Sequence, residues 1–300
     1  MFTKKNTSDL GILGNIIRIS ILLAFVVYFV VPMLWLLFAP SKDTSEIFQS
    51  ATPLAFGSFE RLAKSWQNII SYQNGEMLLW FENSVKYALL SLLGSLAISI
   101  PAGYVLAIER FPGRKLLLWL TLISMLLPAS ALVLPLFLEL NVVHLINTQW
   151  AVILPACFFP FGVYLTYIYY ASSLPPELLD SARVDGASET GVFWHVALPL
   201  AKPLIGLLSF ISFTANWNNF YLPYVMLSDD TLFNLPLGVQ AMLGSTSALR
   251  PGFNPTPGAI AFQHADAAMA GLIMVVPVVI IFLFAQRYVI SGAFTGSVKG

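Results

Sequence analysis

Charge is scarce in this chain. Asp, Glu, Lys and Arg make up 10% of its residues, against about 25% in an ordinary soluble domain. The basic and acidic residues cancel to a formal net charge of zero, so no polyanionic partner such as a nucleic acid is implied. Cysteine is nearly absent. The single one, Cys157, excludes an internal disulfide and any multi-cysteine metal or redox motif. It lies in an apolar run and reads as a packing residue. His144, His195 and His264 are too scattered for a metal site. No glycine-rich phosphate loop ending in Gly-Lys-Ser/Thr occurs, so the chain does not hydrolyse ATP itself and binds no cofactor of its own. Internal repeats, low-complexity tracts and a soluble domain are missing as well. So are ionisable residues in the middle of the apolar segments, since Glu82, Glu109, Glu139 and Asp266 fall at their ends. Ion-coupled secondary transporters place such groups at depth. An intramembrane enzyme needs a base beside its nucleophile, and Ser91, Ser95 and Ser130 have neither a histidine nor an acid at depth to activate them. Both classes are disfavoured.

What the chain has is apolar length. It is 57% hydrophobic, with a mean hydropathy of +0.78. Uncharged windows recur along it, and each is long enough for a spanning helix of about 20 residues. The predicted helices are Ile19–Phe38, Tyr87–Ile108, Leu116–Leu138, Trp150–Tyr170, Leu204–Met226 and Ala267–Ala285. Continuous rather than alternating hydrophobicity selects helices over a barrel. The expected fold is therefore all-α, a polytopic membrane domain with six transmembrane helices. The polar start, Met1 to Ser8, precedes an apolar stretch too long for a signal core, so the first helix is expected to be retained.

Orientation follows from Lys and Arg. Lys4, Lys5, Arg18, Arg110, Arg114, Lys115, Arg183, Lys202, Arg287 and Lys299 fall on one side of the six-helix scheme. Lys42, Arg61, Lys64, Lys86 and Arg250 fall on the other, over longer loops. Both termini, the loop Glu109–Lys115 and the loop 171–203 are then cytoplasmic. The external segments run over about Pro40–Lys86, Asn141–Gln149 and Leu227–Asp266. A short helix is expected near Phe59–Ile70, and Gly244–Pro257 reads as an exposed loop. Prolines at 101, 128, 135, 155, 160, 223 and 277 bend the helices. Two readings of them stay open: ordinary bundle packing, or curved helices around a pathway.

The loop 171–203 is the most informative stretch. Pro175 and Pro176 suit the first turn of a helix, where a missing N–H costs nothing. Glu177 and Asp180 add negative charge near its positive end. Leu178, Leu179 and Ala182 give it a small apolar face, and Gly186 suits a left-handed stop. A second helix is expected over about Ala187–Val196, before Leu198-Pro199 and Lys202-Pro203 lead into the next span.

Here the chain resembles the inner-membrane permease subunits of binding-protein-dependent ABC importers. Asp180-Ser181-Ala182 stands for the family's Glu-Ala-Ala, Gly186 for its glycine and Leu198-Pro199 for its Leu-Pro. Asp180 and Ser181 depart from the pattern while keeping charge and size. The extended form of the carbohydrate branch, that of the maltose-type subunits, fits Ala182 to Glu189 and then Phe193-Trp194. Asn216-Trp217-Asn218-Asn219-Phe220, Leu222-Pro223 and Leu235-Pro236-Leu237-Gly238 resemble its fifth helix and following loop. The end, from Gln286 to Gly300, resembles its terminus. The resemblance covers about residues 80 to 300.

The resemblance implies a type I importer bundle in a bacterial or archaeal cytoplasmic (inner) membrane, moving a carbohydrate, specifically an oligosaccharide. It implies a homologous second permease, two nucleotide-binding ATPase subunits that hold ATP and Mg, and an extracytoplasmic solute-binding protein. The loop helix, with Glu177, Asp180, Ser181, Ala182, Arg183, Asp185, Gly186, Ala187 and Glu189, would dock in a cleft of the ATPase. The tail 289–300, with Ser297, Val298, Lys299 and Gly300, would insert between the two ATPases; its plain alternative is a frayed terminus. Asn216, Asn218, Asn219 and Tyr221 are the candidate polar groups on a sugar path. In a continuous helix 216 pairs with 219 and 218 with 221. These amides either bridge helices or face a wet cavity.

Overall fold

The computed structural model describes residues 12–49, 51–244 and 262–295. It is all-helical and divides into two compact units, residues 1–74 with 243–273, and residues 75–242 with 274–300. Among the described residues, four helical segments are long and apolar enough to cross a membrane, or up to six if each bent pair is one span.

In the first unit, α1 (Ile12–Phe38) is almost wholly apolar. A short 3₁₀ turn, Ala39–Ser41, ends it, and α2 (Thr44–Gln49) and α3 (Phe59–Ile70) follow. Ser58 caps α3 by accepting from the Arg61 amide at 3.1 Å. Arg61 on α3 reaches the buried carboxylate of Asp266, 3.2 Å away. Asp266 also accepts from the Asn68 side chain and the Gln263 amide. A buried acid with three donors is a satisfied ion site rather than an orphan charge.

The second unit is built on α4 (Glu76–Ile108). Its inward seam is small: Ser84, Ala88, Ser91, Ser95, Ser99 and Gly103 are all buried. Lipid gives apolar helices no reason to leave it, so close backbone approach and hydrogen bonds must hold them together. Ser95 bonds Ser212 on α12 (Lys202–Trp217), hydroxyl to hydroxyl at 2.8 Å. At Gly103 a β-carbon would overlap Thr166 and the Val163 carbonyl of α8 (Pro160–Ser173). Tyr87 packs on Val152 and Ile153 of α7 (Trp150–Cys157). The serines that lacked a catalytic partner at Ser91 and Ser95 are thus contact surface. At the other end of α4 the side chains of Trp80, Asn83 and Tyr87 donate to carbonyls of residues 230–233. Beyond that loop run α14 (Leu235–Gly244) and α15 (His264–Thr295), whose stretch up to Ile273 belongs to the first unit and whose remainder belongs to the second.

Three expected helices are broken, each at a proline. The segment 116–138 is two helices, α5 (Arg114–Leu126) and α6 (Ala129–Val142), at 107°. Pro128 forces Leu127 into an extended conformation (φ −75°, ψ 125°). The segment 150–170 parts into α7 and α8 before Pro160. The segment 204–226 stops at Trp217 and restarts as α13 (Tyr221–Met226). Pro223 has no N–H for the carbonyl of Asn219, which accepts instead from the Asn234 side chain at 2.6 Å. Residues 245–257 of the expected external loop lie outside the described residues.

The seam predicts a stability effect. Gly103→Leu overfills the α4–α8 contact and should cost about 1–3 kcal/mol. Thermal unfolding of the detergent-solubilised protein should fall by several degrees, whereas Leu93→Ala, at an exposed position on the same helix, should leave it unchanged.

Candidate functional site

The loop after α8 folds as its sequence demands. Pro175 is extended (φ −63°, ψ 126°) and α9 (Pro176–Val184) begins behind it. Glu177 lies in the first turn and Arg183 in the last, each opposite in sign to the helix end it faces. Gly186 takes φ +86°, and Ala187 N–H returns to the Ala182 carbonyl at 3.0 Å, closing the last turn. Ser188 then caps α10 (Glu189–Val192) by accepting from the Gly191 amide. The helical path continues through a π turn at Phe193–Ala197 into α11 (Leu198–Leu200) and bends 75° into α12.

Two features bind this loop to the bundle. The first is apolar. Leu179 is 2% exposed and inserts among Val192, Phe193, Tyr104 and Tyr170. The Tyr104 ring sits 5.0 Å from Phe193 and 5.3 Å from Tyr170. The expected apolar face of α9 is therefore split: Leu179 and Ala182 point inward, while Leu178 is exposed. The second is ionic. Arg183 grips Glu189 with two hydrogen bonds of 2.9 and 3.0 Å and reaches Asp180 at 3.0 Å. It also lies 3.9 Å from Glu109, in the turn after α4. Glu189 holds the Arg183 guanidinium firmly charged, and Arg183 in turn holds the Glu189 carboxyl below the usual carboxylate range. Ser181 donates back to the Leu178 carbonyl. Asp185 contributes a backbone bond to Ser181. The Glu177, Asp180, Asp185 and Ala187 side chains stay exposed.

The second site is a cavity of about 700 Å³ inside the second unit. All three helix breaks open onto it: Leu127 from the first, Phe158 and Phe159 from the second, Asn219 from the third. Asn216, Asn219 and Tyr221 line it, with Glu139. Asn216 donates its amide to the Ser212 carbonyl, and Asn219 accepts from the Leu222 amide through its side chain. Asn218 does not line the cavity; it ends α12 and donates to the Thr214 carbonyl. The pair 216 and 219 shares the cavity, while 218 and 221 are parted by the helix break. Glu109, Leu179 as a buried plug and the break residues were not singled out as site residues from the sequence. The prolines at 128, 160 and 223 were the signal for the breaks. Ser297, Val298, Lys299 and Gly300 lie outside the described residues.

The family described as "Binding-protein-dependent transport system inner membrane component" matches residues 99–293. The arabinooligosaccharides transport system permease protein AraQ of Halalkalibacterium halodurans is 35% identical over 279 residues, 93% of each chain. The protein of the same name from Bacillus subtilis is 33% identical over 95% of this chain and 97% of its own. The galactooligosaccharides transport system permease protein GanQ of Bacillus subtilis is 28% identical over 93% of this chain and 94% of its own. Among solved structures, a bacterial ABC transporter involved in the import of the acidic polysaccharide alginate shares the fold. Its TM-score is 0.79 at 19% identity, over 94% of this chain and 98% of that one.

The loop geometry makes two predictions. Leu179→Ala empties a buried site, a loss of about 2–5 kcal/mol, and should raise amide exchange across residues 176–200. Glu189 has a depressed pKa, so its ordering contribution is complete above the ordinary carboxylate range and is lost as pH falls through the depressed value. Amide protection at 186–191, corrected for intrinsic rates, should therefore hold at neutral pH and drop in acid. Glu189→Gln should abolish that acid step.

Proposed function

The chain belongs to the family of binding-protein-dependent transport system inner membrane components, and we propose that it forms the translocation path for an oligosaccharide. It is a multi-pass component of the inner membrane, a transport subunit rather than an enzyme, and ATP hydrolysis resides on separate subunits. It works with those ATPases and with a binding protein. The similar proteins named for arabino- and galactooligosaccharides support a sugar substrate of that size.

In this reading the chain crosses the membrane six times with both termini in the cytoplasm, α5 with α6 counting as one broken span. A homologous second permease completes the pathway, and two ATPases sit beneath. The observation that carries the reading is the anchored loop. The outer face of α9, with Glu177, Asp180, Ser181 and Asp185, is free to enter a cleft of the ATPase. Its inner face is locked to α4, α8 and α12 through Leu179 and Arg183. Ala182, Gly186, Ala187 and Glu189 set the turn that keeps the two faces apart. Closure of the ATPases on ATP moves α9, and the bundle moves with it. The tail residues Ser297, Val298, Lys299 and Gly300 enter the ATPase interface and report its state.

The sugar passes through the cavity that the broken helices share. Asn216, Asn219 and Tyr221 hydrogen-bond its hydroxyls, while Asn218 serves the helix end. Phe158 and Phe159 supply the apolar wall.

Gly186→Val tests coupling. A β-carbon there meets nothing within 4 Å, so the whole cost is the left-handed backbone, about 1–2 kcal/mol. Insertion should persist while uptake and substrate-stimulated ATPase activity fail; normal uptake would remove the loop from the mechanism. A cysteine at Thr190 should react only from the cytoplasmic side and one at Thr246 only from outside. The reverse pattern would overturn the six-span topology. Asn216→Ala with Asn219→Ala should lower uptake or change the preference among several oligosaccharides, since an unpaired polar contact costs about 1–3 kcal/mol, while basal ATPase activity stays the same. Unchanged kinetics would assign these amides to helix packing.

A further inference from the structure

Helix α3 buries a polar cluster and exposes an aromatic stripe, an unusual division for a helix in water. Its inward face carries polar groups: Arg61, Ser65 and Asn68 recur at helical spacing, Arg61 is only 7% exposed and Ser65 is fully buried, with Ile69 the apolar residue buried beside them. Arg61 and Asn68 bond Asp266, and Ser65 donates to the Pro40 carbonyl at 3.1 Å. The outward face is apolar. Phe59, Ala63 and Trp66 fall at i, i+4 and i+7, one stripe of a helix, with Phe59 78% and Trp66 45% exposed. Leu62 and Ile70 flank that stripe and are half-buried. Glu60, Lys64 and Gln67 form a charged and polar edge beside it.

We propose that the Phe59–Ala63–Trp66 face of α3 lies in the lipid bilayer, at the acyl–headgroup boundary beside the end of α1, as an interfacial anchor. The depth follows from how α3 is tied down. Ser65 bonds the carbonyl of Pro40, two residues beyond the end of α1. The segment before α3 is pinned to the same turn: Ser41 accepts from the Gly57 amide at 2.8 Å through its hydroxyl and from the Ser58 amide at 2.7 Å through its carbonyl. The apolar surface is also continuous with the span. The Phe38 ring at the end of α1 lies 6.4 Å from Phe56, and Phe56 lies 4.7 Å from Phe59. The apolar window of α1 is itself 0% buried within the chain. An aromatic face beginning where a spanning helix ends, with an acid, a lysine and an amide along one edge, has the composition of an interfacial helix. The buried Arg61–Asp266 pair then has a purpose in the fold, since it holds the polar face inward and turns the Phe59–Ala63–Trp66 stripe outward, where Phe59 meets Phe56 and continues the apolar surface of α1.

Nitroxide scanning tests this in the assembled transporter, reconstituted in phospholipid vesicles in a Cys157→Ala background. Labels at Phe59→Cys, Ala63→Cys and Trp66→Cys should collide with oxygen several-fold more than with a water-soluble nickel chelate. Labels at Glu60→Cys, Lys64→Cys and Gln67→Cys should show the opposite ratio. High nickel access at 59, 63 and 66 would mean a water-exposed face. Low access to both reagents there would mean a protein cover, from the second permease or the binding protein. Either result overturns the proposal. The unsubstituted complex gives a second readout: a phospholipid with a diazirine on its acyl chain should label the peptide containing Phe59 and Trp66, and no adduct there would also sink the idea.

Discussion

A proline inside an apolar helix removes a donor that lipid cannot replace, and the second unit is organised around that deficit. The carbonyl one turn before each proline must find another partner or the helix must break. At Pro223 the substitute is visible: the Asn234 side chain takes over the Asn219 carbonyl at 2.6 Å. At Pro128 the chain gives up the helix and turns through 107°. Breaks of this kind are tolerated at membrane depth only where they line a cavity or are covered by protein. That the breaks at 127–128, 158–159 and 218–220 open on one cavity follows the same rule. Because the backbone is irregular there, polar side chains such as Asn216 and Asn219 can sit at a place where a continuous apolar helix would bury them at a cost.

A bundle with three broken helices needs an unbroken one to organise it, and α4 fills that role. It contains Pro101 yet stays helical over its full length. Its seam of serine, alanine and glycine brings α8 and α12 close enough for hydroxyl and backbone contacts to hold them. Its two ends are used differently. One end ties down the loop at 230–233 with three side chains, and the other carries Tyr104 and leads to Glu109, where the α9 loop attaches.

Much of this was legible in the residues, and the rest failed for identifiable reasons. The loop helix starts behind Pro175 and stops at a left-handed Gly186, because proline and glycine act through local backbone sterics that need no tertiary context. The short helix α3 occupies Phe59–Ile70 because Ser58 caps it. The helix breaks were marked by prolines, but a proline can also sit inside a continuous helix, as Pro101, Pro135 and Pro277 do. Only the neighbours decide, and they come from far along the chain. For the same reason the spacing of Asn218 and Tyr221 misled: it assumed a helix that ends at Trp217. The role of Leu179 as a plug and of Glu109 as a partner of Arg183 depends on contacts across about seventy residues of sequence, which no local pattern carries.

The two sites become one device once the loop attachment is considered mechanically. An exposed ion pair alone is worth about 0–1 kcal/mol, too little to drag a bundle. A fully buried Leu179 adds about 1.5–3 kcal/mol of apolar burial, and the ring cluster of Tyr104, Tyr170 and Phe193 spreads its contact over α4, α8 and the π turn. In the proposed coupling, therefore, the apolar plug is the part that bears load and the Arg183 fork the part that sets angle. In the proposed cycle a push on α9 passes through Leu179 into α4, α8 and α12 together. Of these, α8 and α12 end at breaks that line the cavity, and α4 does not break. In that cycle, motion of the three as a block is absorbed where the helices are already interrupted, at Phe158–Phe159 and at Asn218–Phe220, so the compliant points proposed for the bundle coincide with the walls of the cavity.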